Sequence, residues 1–314
     1  MRVRTPWRRV SRRVTPGGMP TLDIGRVGIW TFALERQPAA RAQETAAELE
    51  SLGYPALWIP EAMGREALTH AGLLLAGTRR ITIATGIANV WGRDAMTMAA
   101  GQKTLDEAYP GRFLLGMGVS HAPLVEGMRG HRYEKPLSFM RRYLDAMDAA
   151  PFLAAPSNQA GRRVIGALAP KMLALAAHRT DGAHPYLVPP EHTARARQIM
   201  GPGPLLAPEQ AVVLETDPAA ARAIARAHMT TYLGLPNYTN NLRSLGFGDD
   251  DLRDGGSDRL VDAIVAWGDI DALRTRIRAH HDAGADHVCI QVLTADPRAL
   301  PLAAWRTLAP ALLN

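Results

Sequence analysis

A handful of side chains in this 314-residue sequence can do chemistry. His121, His184 and Glu61 can exchange protons, Lys171 can hold an anion, and Trp30, Trp91 and Tyr186 can stack on a planar ring. Other chemistries lack their residues. No pair of carboxylates is placed as in a glycosidase, and no His, Asp or Glu cluster has metal-ligand spacing: His280 and His281 are neighbours on a helical stretch and cannot face one ion. A G-x-S-x-G elbow is absent. Cys289, the single cysteine, lies among apolar residues and suits a buried small hydrophobe, so neither a disulfide within the chain nor a nucleophilic thiol is expected. What remains is chemistry supplied by an organic cofactor.

Those residues need a scaffold, and the pattern of apolar runs supplies one. From residue 26 onward, short β-branched runs alternate with amphipathic helical stretches, the signature of βαβ units around a parallel sheet. Eight strands are expected, at 27–32, 56–60, 81–87, 113–118, 163–167, 182–187, 205–214 and 287–293. Helical stretches at 39–52, 66–77, 95–108, 137–147 and 171–178 lie between them, with Asp94 and Asp217-Pro218 as helix starts. Eight strand–helix units predict a (β/α)8 TIM barrel. No G-x-G-x-x-G follows the first strand, so a dinucleotide-binding open sheet is excluded. One domain over 22–314 is expected, with an Asn-, Asp- and Gly-rich insertion after strand seven, at about 233–267, as a lid or subunit contact.

Composition narrows the partners. The net charge of +6 comes from the start of the chain, where Arg2, Arg4, Arg8, Arg9, Arg12 and Arg13 precede the first acid, Asp23. Removing those six from 36 basic residues leaves 30 against 30 acidic ones, so the body is neutral and no nucleic-acid face is expected. Residues 1–21 read as a flexible basic tail. Their paired arginines are followed by no apolar segment of export type, and no apolar run approaches a membrane span. A cytoplasmic protein acting on a small molecule fits these features.

In a barrel, chemistry collects at the C-terminal ends of the strands. That position selects Trp30, Glu61, the run Gly86 to Trp91, Ser120 with His121, Ala169 to Lys171, and His184 with Tyr186. The segments that carry these residues are LGYPALWIPE, ITIATGIANVW, GRFLLGMGVSHAPL and AGADHVCIQVL. They resemble the bacterial luciferase-like flavin and deazaflavin monooxygenase superfamily over roughly Leu22 to the C-terminus. The run GVSHAPL and the stretch LPNYTNNLRSLGF resemble the actinobacterial class that uses the deazaflavin coenzyme F420.

The resemblance implies a luciferase-like barrel, a homodimer, and a flavin-like ring held above the strand ends. It places a non-prolyl cis peptide at Gly86–Ile87 under that ring, with Ala88, Asn89 and Ser120 beside it. It places the cofactor phosphate at Ala167, Ala169 and Lys171, where a helix N-terminus favours an anion. It makes His121 the first proton-transfer candidate and Glu61 the second, with Trp30, Trp91, His184 and Tyr186 around substrate. Glu61-Ala62 stands where better-known deazaflavin dehydrogenases carry an acid-histidine pair, so sugar phosphate oxidation is not implied. Three readings follow. The first is an oxidoreductase exchanging hydride between F420 and a small organic substrate. The second is an FMN-dependent monooxygenase that activates oxygen, and the third a cofactor-binding homologue without catalysis.

Overall fold

A computed structural model describes residues 24–313; the basic tail expected at 1–21 lies outside the described residues. The eight expected strands are present: β1 Val27–Trp30, β2 Ala56–Ile59, β3 Thr82–Thr85, β4 Phe113–Gly118, β5 Arg162–Ile165, β6 Gly182–Ala183, β7 in two segments Leu205–Leu206 and Glu209–Val213, and β8 Val288–Val292. Every pairing is parallel, in the order of the chain, with β8 beside β1. The first segment of β7 pairs with β6 and the second with β8, so the sheet returns on itself as a barrel.

Proline sets the strand limits. The expected strand over 182–187 stops after two residues because Pro185 has no N–H to donate and Leu187 adopts a left-handed φ of 57°. Pro208 divides β7 for the same reason. Around it the ring is held by Ala207 N donating to Ala183 O at 3.0 Å and Glu209 N donating to Pro185 O at 2.9 Å. The expected strand over 81–87 ends at Thr85, turns at Gly86–Ile87, and resumes as Ala88–Asn89 beside β4.

Helices close the outside: α1 Ala39–Ser51, α2 Ala67–Ala76, α3 Ala95–Ala108, α4 Pro136–Ala149, α5 Pro170–Arg179 and α6 Pro190–Met200 follow the first six strands. In α1 the buried Ala42, Ala46 and Leu49 recur at helical spacing, which turns one stripe onto the sheet. Asp94 caps α3 through Thr97 N at 2.9 Å, and Asp217 caps α7 Pro218–Leu233 through Ala220 N at 2.7 Å. The barrel interior holds Trp58, Trp30 and Cys289, all buried.

After α7 come α8 Pro236–Ser244 and α9 Asp258–Ile264, then the short strand Ala266–Trp267, which adds to β7. The expected insertion is therefore two helices and an edge strand. Its side chains Tyr238, Leu242, Leu260 and Val261 bury against Leu187, Ala211 and Val213 at the β6 and β7 ends. Burying side chains of this size contributes roughly 1.5–3 kcal/mol each, so the insertion is part of the barrel wall rather than a loose flap. α10 Ile270–Asp282 and α11 Leu302–Leu312 complete the fold.

Candidate active site at the barrel mouth

The site starts at Gly86. Its peptide bond to Ile87 is cis. Gly86 O accepts from Trp30 Nε1 at 3.0 Å, and a Cβ at residue 86 would sit 2.6 Å from Trp30 Nε1 and 3.0 Å from His184 Nε2. Only glycine lets β1, β3 and β6 meet here. Gly118 serves the same end, because a Cβ there would reach 2.5 Å from Ile87 Cδ1. The bulge thus rests in a glycine-bordered cradle.

His184 is sealed below the mouth, stacked on Trp58 with ring centroids 4.4 Å apart. Its Nδ1 lies 2.7 Å from Ala207 O, which can only accept, so Nδ1 carries the proton. Nε2 is then a bare acceptor, buried, with no hydrogen-bond partner among the described residues. Burial pushes its pKa down to about 4, keeping the ring neutral. Nε2 is thus packed directly under the Gly86 backbone.

Glu61 lies beneath the bulge and is fully engaged. Oε2 accepts from Asn89 N at 2.7 Å, Oε1 accepts from Ala67 N at 3.2 Å, and Arg93 pairs with Oε1. Both side chains of the ion pair are 6% exposed, and Arg93 also pairs with Glu66 at 2.7 Å. Asn89 Oδ1 in turn accepts from Trp91 N at 2.9 Å. Glu61 therefore holds the first amide of α2, whose N-cap is Glu66, and fixes the turn after the bulge.

Opposite stands an aromatic group. Tyr186 packs on Trp30 at 5.0 Å, and its hydroxyl lies 2.8 Å from both Tyr232 Oη and Gln291 Oε1. Tyr238 packs against Tyr232 at 5.2 Å and against His121 at 5.4 Å. His121 Nδ1 lies 3.1 Å from Asn237 Oδ1 and donates to it, which ties the loop after β4 to the insertion and leaves Nε2 as the accepting atom. Burial lowers the His121 pKa, so the ring is neutral near pH 7.

Trp30, Gly86, His184, Tyr186 and His121 are thus brought to one mouth. Trp91 is not among them: it stacks on Phe139 at 3.9 Å and donates to Val119 O at 2.9 Å, packing the rim. Ser120 adopts a left-handed φ of 56°, and its carbonyl accepts from Tyr133 Oη at 3.1 Å. Ala167 is buried and Ala169 caps α5, but the exposed Lys171 shares an outer groove with Leu137, Arg141 and His178. His228, Tyr232, Tyr238, Glu209 and Gln291 were missed by the sequence reading. His228 and Tyr232 are one helical turn apart, the single local signal that they share a face.

An eight-stranded parallel barrel with His184, Glu209 and His121 gathered toward its C-terminal end has the architecture of a barrel enzyme. The luciferase-like monooxygenase family profile matches residues 22–287, and the chain belongs to that family. A Mycobacterium tuberculosis protein named provisionally as a coenzyme F420-dependent oxidoreductase is 26% identical over 82% of this chain and 92% of its own length. Among solved structures, an F420-dependent secondary alcohol dehydrogenase bound to an F420-acetone adduct superposes with a TM-score of 0.74 at 15% identity, covering 92% of this chain and 99% of its own. The FMN-bound oxygenating constituent of 3,6-diketocamphane monooxygenase from Pseudomonas putida gives 0.65 at 16% identity, covering 92% and 96%. Both share the fold. Among the described residues no group of three or more His, Cys, Asp or Glu could hold a metal ion, and no helix is long and apolar enough to cross a membrane.

Proposed function

We propose that this protein is an oxidoreductase that uses coenzyme F420 to exchange hydride with a small organic substrate. The observation that carries the reading is the glycine-bordered bulge at Gly86–Ile87 with the orphaned His184 Nε2 beside it, a cradle suited to a planar ring. The near-full-length likeness to a protein named for F420 favours that cofactor over FMN. When bound, the deazaflavin supplies or takes the hydride. The chain's own residues do the rest. Gly86 to Asn89 carry the ring, Trp30 fixes the bulge carbonyl, and Glu61 with Arg93 holds the turn in place without touching substrate. His121 accepts the hydroxyl proton at Nε2 when an alcohol is oxidised and returns it when a carbonyl is reduced. The N-terminus of α5, from Ala169, is the proposed phosphate end. A homodimer acting in the cytoplasm accords with this reading.

The test is anaerobic turnover with F420 and a panel of alcohols. Loss of the oxidised F420 absorbance in step with ketone formation, without any oxygen requirement, is expected. Oxygen consumption with reduced FMN and no F420 turnover would instead put the protein with the oxygenating relatives.

A further inference from the structure

The outer groove that Lys171 borders is used by nothing described so far. It lies between α4 and α5, with Leu137, Ala174 and Leu175 as an apolar floor and Arg141, Lys171 and His178 as a polar border. No carboxylate among the described residues lines it. Its remaining cation, Arg179, is taken up by Asp145 at 2.7 Å and Asp148 at 3.3 Å, whereas Arg141 and Lys171 have no acidic partner among the described residues. The contrast with α7 is plain: there Arg222 and Arg226 both pair with aspartates of α9. The two free cations are also staggered. Lys171 stands in the first turn of α5, His178 stands in the last, roughly 10 Å further along the axis, and Arg141 lies one turn beyond Leu137 on α4.

We infer that this groove binds a small acyclic dianion, two carboxylate or phosphate groups joined by an apolar chain. One anion meets the Lys171 ammonium. The other meets the Arg141 guanidinium, whose planar fork matches a carboxylate or phosphate, with the His178 ring beside it. The chain between them lies on Leu137, Ala174 and Leu175, and its burial there adds to the charge pairing. With no carboxylate on the border, a cationic ligand has nothing to meet. The upper end of the groove adjoins the N-terminus of α5, where the phosphate end of the cofactor is proposed. Two sources therefore present the same chemistry: the anionic end of the bound cofactor, and a separate dianion. Only the first of these rests on the oxidoreductase reading above.

The test is ligand-observed NMR titration of the full chain, with and without F420, using heptanedioate, heptanoate and the uncharged heptanediamide as probes. F420 retention is read by absorbance in the same samples. On the chain without F420, heptanedioate should bind about tenfold more tightly than heptanediamide, with heptanoate between them, and should weaken as salt rises from about 50 to 200 mM. Arg141→Gln, at an exposed position, should keep the fold by circular dichroism and weaken heptanedioate about threefold. Heptanedioate binding that is lost once F420 is retained assigns the groove to the anionic end of the cofactor, and equal binding with and without F420 assigns it to a separate dianion. Three results overturn the inference: heptanediamide binding as tightly as heptanedioate, unchanged affinity in Arg141→Gln, and no binding at all, as when a second copy of the chain covers the groove. Failure to retain F420 with heptanedioate still bound overturns the cofactor assignment alone.

Discussion

Glu61 on one side of the mouth and Glu209, His184 and His228 on the other are built on opposite terms. On the β2–β3 side every polar atom of Glu61 has a partner, and the Glu61–Arg93 pair is closed to water. On the β6–β7 side Glu209 Oε1, His184 Nε2 and His228 Nε2 are buried without partners among the described residues. A satisfied network positions other groups. An unsatisfied one costs about 1–3 kcal/mol per atom and persists where a ligand completes it. Glu61 is therefore a supporting group, and we propose the β6–β7 side as the place of recognition, although Glu35 Oε1, Arg65 Nη1 and both His70 nitrogens near Glu61 are also buried without partners among the described residues.

Substitutions can break that division. His121 joins the walls, and His121→Ala should lower turnover by about 10²–10⁴, equivalent to roughly 3–5 kcal/mol of barrier, with F420 affinity nearly unchanged. Steady-state kinetics beside cofactor titration checks this. His121→Gln keeps a hydrogen bond to Asn237 but cannot titrate near neutral pH, and full activity there would reject proton transfer by this residue.

On the supporting wall, Glu61→Ala orphans two backbone amides and one contact of Arg93, and should cost about 3–5 kcal/mol of stability in urea unfolding. Glu61→Gln should cost clearly less. Gly86→Ala forces a methyl against Trp30 and His184 and should cost about 1–3 kcal/mol while abolishing F420 retention. Unaltered retention would remove the bulge from the cofactor site.

Glu209 gives the recognition wall a pH signature. Its folded pKa of about 8 stands above the ordinary 4.5, so its contribution to stability is complete below pH 4.5 and is lost as pH rises through 8. His184 and His228, at about 4, act only below pH 6.5 and leave the alkaline limb to the acids. Unfolding free energies between pH 7 and 8 should therefore fall less steeply in Glu209→Gln, by up to about 1.4 kcal/mol per pH unit. Parallel slopes would mean the carboxyl is ionised in the fold. The smallest effect belongs to Lys171→Ala, expected to change stability by less than about 0.5 kcal/mol because the side chain is exposed. A loss of F420 affinity in that variant would assign its ammonium to the cofactor phosphate.

Much of the scaffold was legible because its signals are local. Alternating runs marked all eight strands, and Asp94 and Asp217 marked helix starts that the structure keeps. Strand lengths were less so, since Pro185 and Pro208 cut ladders that hydrophobicity alone extends. The Gly86 layer was readable through resemblance. The recognition wall was not, because Tyr186, Glu209, Tyr232, Tyr238 and Gln291 are scattered over more than 100 positions and meet only through the closure of β6, β7 and β8 and the packing of the insertion. Trp91 shows the converse: a tryptophan near a strand end reads as a pocket wall, and Phe139, which claims its face, lies 48 residues away.

The central claim is that the cradle at Gly86–Ile87 holds a deazaflavin. Incubating the purified chain with F420 and FMN together, dialysing, and recording the absorbance and fluorescence of what remains tests it most directly. Retention of F420 in preference to FMN, lost in Gly86→Ala and kept in Tyr232→Phe, is the predicted result. Retention of FMN alone, or of neither, would contradict it.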